Sequence, residues 1–170
     1  MTNALAACSQ GRASGEGPTL VLGLGNPLLT DDSVGLRVID HLRPQVAGWP
    51  NVQLDEDYCG GLGVMERMIG FDRVILVDAI CTGGRPGAVH VLTVRDIPTR
   101  HSGSFHDADL RTALALGRQA GARLPADENI RIVAVEAAEV LTFGQQCTPA
   151  VRSGISRAAE SVLKLLTAWS

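Results

Sequence analysis

The sequence predicts an α/β fold: a single three-layer domain with a mostly parallel five-stranded sheet flanked by helices. Three observations predict it. Short apolar runs end in glycine or a carboxylate, as in TLVLGLG from Thr19 and VILVD ending at Asp78, the pattern of strands buried on both faces of a parallel sheet. Stretches of helical period alternate with those runs, which argues for βαβ units. A length of 170 residues, set against roughly 150 per domain, leaves room for one core.

The elements follow in order. Residues 1–17 are small and polar with no buried periodicity and read as a flexible leader, so the folded domain is expected over 18–170. After the strand at Thr19, Asp31 and Asp32 precede a stripe of Val34, Leu36, Val38, Ile39 and Leu42, a helix with acids at its start and Pro44 at its close. NVQLDE reads as a strand, LGVMERMIG as a short helix and DRVILVDAI as a fully apolar strand. GAVHVLTV follows too closely for a crossover helix, so an antiparallel neighbour is expected. The polar stretch RDIPTRHSGSF leads to the helix ADLRTALALGRQAG, which ends at Gly121. NIRIVAVEA then gives the last strand and PAVRSGISRAAESVLKLLTAW one last helix.

Composition narrows the function. The chain is 45% hydrophobic and 19% charged, enough apolar surface for a packed core. Eighteen acids against 15 bases, with no basic run, argue against a nucleic-acid partner. Only Lys164 is a lysine among those 15 bases, which leaves Schiff-base and P-loop chemistry without support. Four isolated cysteines, at 8, 59, 81 and 147, suit a reducing cytoplasm, and neither a secretory signal nor a spanning segment is visible.

Ligands collect beyond the carboxyl ends of parallel strands. Two places there carry chemistry: the loop GLGNPLLTDD, with Gly23, Gly25, Asn26, Asp31 and Asp32, and Asp78 at the end of VILVD. The loop is no dinucleotide fingerprint, because Leu28 stands where G-x-G-x-x-G needs its third glycine. Carboxylates at the helix start disfavour a phosphate and favour a cation. Asp31 also fits a helix N-cap, worth about 0.5–2 kcal/mol. Asp78 also fits a turn-stabilising role. His41, near a helix C-terminus, and His90, within a strand, read as structural. His101 and His106 lie in or beside the longest polar connection, and His106 in SFHDADL has the better position for a ligand. Asp32, Asp78 and His106 together would be a fold-assembled oxygen and nitrogen set, suited to a weakly held divalent ion with open positions. Such an ion polarises a carbonyl and acidifies water, a route to amide hydrolysis without a serine or cysteine nucleophile. Cys59 in YCGGLG reads as a packed thiol, and Ser104 lacks any G-x-S-x-G context.

LVLGLGNPLLTDDSVGLRVIDHL, DRVILVDAI, GRPGAVHVL, SFHDADLRTALALG and IRIVAVEAAEVLTFGQQCTPAV, in that order, resemble the nickel-iron hydrogenase maturation proteases. The likeness runs from about Leu20 to Val162, and G-x-G-N-x-L-x-x-D-[DE] is its most specific block. It implies an endopeptidase that removes the C-terminal extension of a hydrogenase large-subunit precursor after nickel insertion. It also implies that the metal contacts are Asp32, Asp78 and His106, the three the residues themselves suggest, with the nickel supplied by the precursor. Gly25, Asn26, Gly60 and Gly61 carry over as a substrate loop, although EDYCGG departs from the D-G-G-T-like turn of many relatives and Ser33 replaces a common glycine. A cytoplasmic monomer without membrane attachment is expected. A nickel-binding checkpoint without proteolysis keeps the same ligands. Peptidyl-tRNA hydrolase shares GLGNP but expects a glycine after the proline and a T-R-H-N segment, both lacking here.

Overall fold

A computed structural model describes residues 17–58, 60–96 and 107–169. The strands are β1 (Thr19–Leu24), β2 (Val52–Asp57), β3 (Arg73–Ile80), β4 (Val89–Leu92) and β5 (Ile130–Glu136). The helices are α1 (Val34–Val46), α2 (Leu62–Met68), α3 (Asp107–Gln119), α4 (Pro149–Arg152) and α5 (Ile155–Trp169). All five strands form one sheet in the order β2-β1-β3-β5-β4. β1 pairs in parallel with β2 and β3, and β3 with β5, while β4 runs antiparallel to β5.

The runs read as fully apolar strands, β1 and β3, lie inside the sheet, and β5 joins them there. β1 is buried throughout, and β3 and β5 are buried but for Arg73 and Arg131. β2 and β4 hold the edges, where more of each strand reaches solvent. Strand alternation divides the core in two. Val21, Ile75, Val77, Val133 and Val135 meet α1 and α5 on one face; Leu20, Leu22, Val74, Leu76, Ile130 and Ile132 meet α2 and α3 on the other.

Two expectations about helix ends are corrected. Pro44 does not close the first helix but lies inside its last turn, where the missing amide falls opposite exposed Asp40 and water can satisfy the carbonyl. The last helix is broken at Ser153 and Gly154 into α4 and α5, because Gly154 packs against the Gly87 carbonyl, 2.7 Å from where a side chain would begin.

One contact sets the position of the whole first loop. Helix α1 crosses the sheet at Gly35, where a Cβ would stand 2.3 Å from the Leu24 carbonyl oxygen and 2.4 Å from that of Val77. Only a glycine lets the helix lie this close. Gly35→Ala is therefore expected to destabilise by about 1–3 kcal/mol, the usual cost of overpacking, measured by urea unfolding. A loss below ~0.5 kcal/mol would show that the helix lifts off the sheet freely.

Candidate active site

Asp31 and Asp32 sit in a 3-10 turn, Asp31–Ser33, that precedes α1 and packs on β3. The two acids part company. Asp32 is half-buried, and its Oδ2 accepts the Asn26 amide at 2.8 Å. Its Oδ1 has no hydrogen-bond partner among the described residues. Gly25, at φ 140, makes this possible: a Cβ there would lie 1.9 Å from the Asp32 carbonyl oxygen. Asn26 completes the loop by accepting the Leu28 amide on its side chain at 2.9 Å and the Leu29 amide on its carbonyl at 3.1 Å. Gly25 and Asn26 thus shape the loop around Asp32 directly.

Asp31 is not an N-cap. Its carboxylate is 0% exposed and accepts four bonds from a distant segment: Ala138 N and Glu139 N at 3.0 Å, Thr148 N at 2.7 Å and Thr148 Oγ1 at 3.0 Å. Neither the start of the 3-10 turn nor the start of α1 has a side-chain cap bond. Ser33, the departure from the common glycine, is also buried and donates to the Thr30 carbonyl at 2.7 Å, with the Cys147 sulfur 3.6 Å away.

Asp78 is 2% exposed near the end of β3, and its Oδ1 accepts the Ala79 amide at 2.8 Å. Strand alternation directs it to the face covered by α2 and α3, with Leu76 and Ile80. His106, like His101, Cys59 and Ser104, lies outside the described residues. Among the described residues no group of three His, Cys, Asp or Glu side chains could hold a metal. Gly60 and Gly61 open α2: the Gly60 carbonyl accepts the Gly63 amide, and Gly61 precedes the helix at φ 59.

A fourth acid at this end carries no signal strong enough for sequence reading to single out. Glu136, the last residue of β5, is 1% exposed and fully engaged. Its Oε1 accepts the amides of Thr82 and Gly84 at 2.7 and 3.0 Å, and its Oε2 accepts Thr82 Oγ1 at 2.7 Å. It ties the chain leaving β3 to the end of β5. The available signal is the pattern VAVEA, an acid ending an apolar strand as Asp78 does.

The acids act on common ground. The Cys81 thiol is pushed up first by burial and then by Glu136, Asp32, Asp31 and Asp78, so all four negative charges are felt at one point beyond β3. By contrast, the acids of β2 are offset by arginine: Arg67 meets Asp55 at 2.9 Å and Asp57 at 3.3 Å, and Arg43 meets Glu56. The carboxyl end of the central sheet is therefore negative, a setting for a cation or a metal-bearing substrate. One consequence is chemical. Cys81 should be alkylated by iodoacetamide at pH 7.5 at least about fivefold more slowly than free cysteine, because little thiolate is present. Peptide-resolved mass spectrometry reads the rate, and alkylation as fast as free cysteine would contradict the acidic surroundings.

The fold, one mostly parallel five-stranded sheet with helices on both faces, has counterparts among solved structures. The hydrogenase maturating endopeptidase HybD of Escherichia coli superposes with a TM-score of 0.73 at 28% identity, covering 88% of this chain and 92% of that one. HybD of Thermococcus kodakarensis, at 23% identity and a TM-score of 0.63, shares the fold over 87% of this chain and 98% of its own. In sequence, the hydrogenase 2 maturation protease of Escherichia coli is 29% identical over 150 residues, 86% of this chain and 89% of that protein. The hydrogenase expression/formation protein HupD of Thiocapsa roseopersicina is 28% identical over 151 residues, spanning 86% of this chain and 66% of its own length. The family model for hydrogenase maturation protease matches residues 36–165. The chain belongs to the hydrogenase maturation protease family, which removes the peptidyl-tRNA hydrolase reading.

Proposed function

We propose that this chain is the endopeptidase that cuts the C-terminal extension from a nickel-iron hydrogenase large-subunit precursor once nickel is in place. Asp32, Asp78 and His106 recognise the nickel that the precursor carries. The observation that carries this reading is Asp32 itself: a carboxylate fixed through one oxygen by the Asn26 amide, with the other oxygen unengaged among the described residues, and felt at Cys81 together with Asp78. A side chain held this way is oriented before any ligand arrives, so little ordering cost remains at binding.

Two carboxylates and an imidazole suit a borderline divalent ion such as nickel and leave coordination positions for substrate groups. When bound, the ion supplies Lewis acidity at the scissile carbonyl. The chain's own residues do the rest. Asp32 and Asp78 hold negative charge against the metal-bearing end of the precursor. Water adds to the carbonyl carbon, the C–N bond breaks, and the proton released by that water ends on the leaving amine, with a site carboxylate as its carrier. The protein acts as a cytoplasmic monomer on a protein substrate. No helix among the described residues is long and apolar enough to cross a membrane.

The deciding experiment is intact-mass analysis of nickel-loaded and nickel-free precursor after incubation with the protein. A single C-terminal loss confined to the loaded precursor is expected. Cleavage of both forms alike would remove nickel sensing, and nickel-dependent binding without any cleavage would leave a checkpoint in place of a protease.

A further inference from the structure

We infer that Asp31 is a positioning residue that locks a rigid wall beside Asp32, against which the polypeptide substrate is held; this rests on the endopeptidase reading above. The segment 137–148 returns from β5 to α4 and would otherwise be a surface loop with few contacts. Instead its two ends converge on the single buried carboxylate of Asp31, with Ala138 and Glu139 from one end and Thr148 from the other. Between those ends the segment pairs with the first loop as a short ribbon. The Thr30 amide donates to the Thr142 carbonyl at 3.0 Å, the Gly144 amide to the Leu28 carbonyl at 3.0 Å, and Leu29 bridges Phe143 in antiparallel register. Thr30 Oγ1 and the Asp31 amide both donate to the Glu139 carbonyl, at 2.6 and 3.1 Å.

Two facts make this more than loop packing. The ribbon's strand from the first loop runs without interruption into Asp32, so whatever rests on the ribbon is held at the candidate site. And three apolar side chains at the ribbon face solvent: Leu28 is 64%, Leu141 77% and Phe143 78% exposed. Fixing backbone this firmly while leaving large apolar groups in water spends stability on a surface, which is what a preformed binding wall requires. The occupant that fits is an extended polypeptide with apolar side chains, continuous with the bond to be cut at Asp32. A charged clamp suits the task, since a carboxylate accepting several N–H bonds is stronger than the neutral pairs it replaces.

Asp31→Asn keeps the shape but turns one end into a donor facing donors. In this variant we expect loss of hydrogen-exchange protection at the amides of Ala138, Glu139 and Thr148. We also expect a rise of about 10-fold or more in Kd and KM for the nickel-loaded precursor, with kcat within about threefold of the parent, the signature of lost substrate binding. Phe143→Ser, at an exposed position, should raise Kd and KM in the same way while exchange protection is retained. Unchanged Kd and KM in both variants would overturn the inference, as would a fall in kcat with KM unchanged. If Asp31→Asn does not fold, Phe143→Ser and Thr148→Val, which removes one of the four donors, decide it by the same two readouts. Binding by the parent protein without cleavage would sink the endopeptidase reading and leave the Kd comparison to judge the wall.

Discussion

Asp78→Asn is expected to lower precursor processing by at least about 100-fold while leaving the fold and its thermal unfolding nearly unchanged, a loss of the size found when one electrostatic contact to a reacting centre is removed. The substitution is isosteric. Oδ1 still accepts the Ala79 amide that now sits 2.8 Å away, so the local turn keeps its bond. The substitution removes one negative charge from a residue 2% exposed near the end of β3, one of the acids felt at Cys81. A metal ligand must be anionic or a neutral donor of the right kind, and an amide oxygen is a poor substitute for a carboxylate on a divalent ion. The isosteric amide fills the same space and keeps the bond from Ala79, which is why stability should hold. Single-turnover cleavage of nickel-loaded precursor, followed by intact mass, measures the rate. Processing within about threefold of the parent would show that Asp78 serves only the turn after β3.

The fold was legible because its central strands are buried on both faces, and runs such as VILV and IVAV are what a covered parallel sheet demands. Spacing predicts β4 as an antiparallel neighbour of the strand before it; it is antiparallel, but it pairs with β5 and not with β3. That neighbour was not legible: β4 ends at Leu92 and β5 begins at Ile130 with all of α3 in between, and no local pattern encodes a contact of that range. Asp32 and Asp78 could be chosen because each stands where a strand or its loop delivers polar groups to the ligand-binding edge. Asp31 looks like a cap for a physical reason. An acid just before a helical stripe has that appearance whatever it does, and the partners that give it another task, Ala138, Glu139 and Thr148, are over 100 residues away. Glu136 is silent for a different reason: it ends its strand as Asp78 does, but its bonds go to Thr82 and Gly84, whose turn-rich sequence suggests only a loop.

Asp31→Ala should cost about 3–5 kcal/mol of stability, well above the roughly 0.5–2 kcal/mol that loss of an N-cap would cost. The difference lies in what is left behind. Truncating a cap exposes one helix amide that water can reach. Truncating Asp31 strands the amides of Ala138, Glu139 and Thr148 together with the Thr148 hydroxyl around a residue that is 0% exposed. Each donor that stays buried without an acceptor costs about 1–3 kcal/mol, reduced for any that water reaches when the segment shifts. At roughly 2–4 °C per kcal/mol for a domain of this size, the melting temperature should fall by about 6–20 °C. Urea unfolding gives the free energy, and Thr148→Val provides the internal scale, since it removes the hydroxyl but keeps the Thr148 amide bonded to Oδ1. A clamp predicts that Asp31→Ala exceeds Thr148→Val severalfold and that the two effects overlap when combined. A loss near ~1 kcal/mol with additive effects would mean that the segment 137–148 is held by its ribbon pairing, and Asp31 would return to the role of an ordinary helix-start acid.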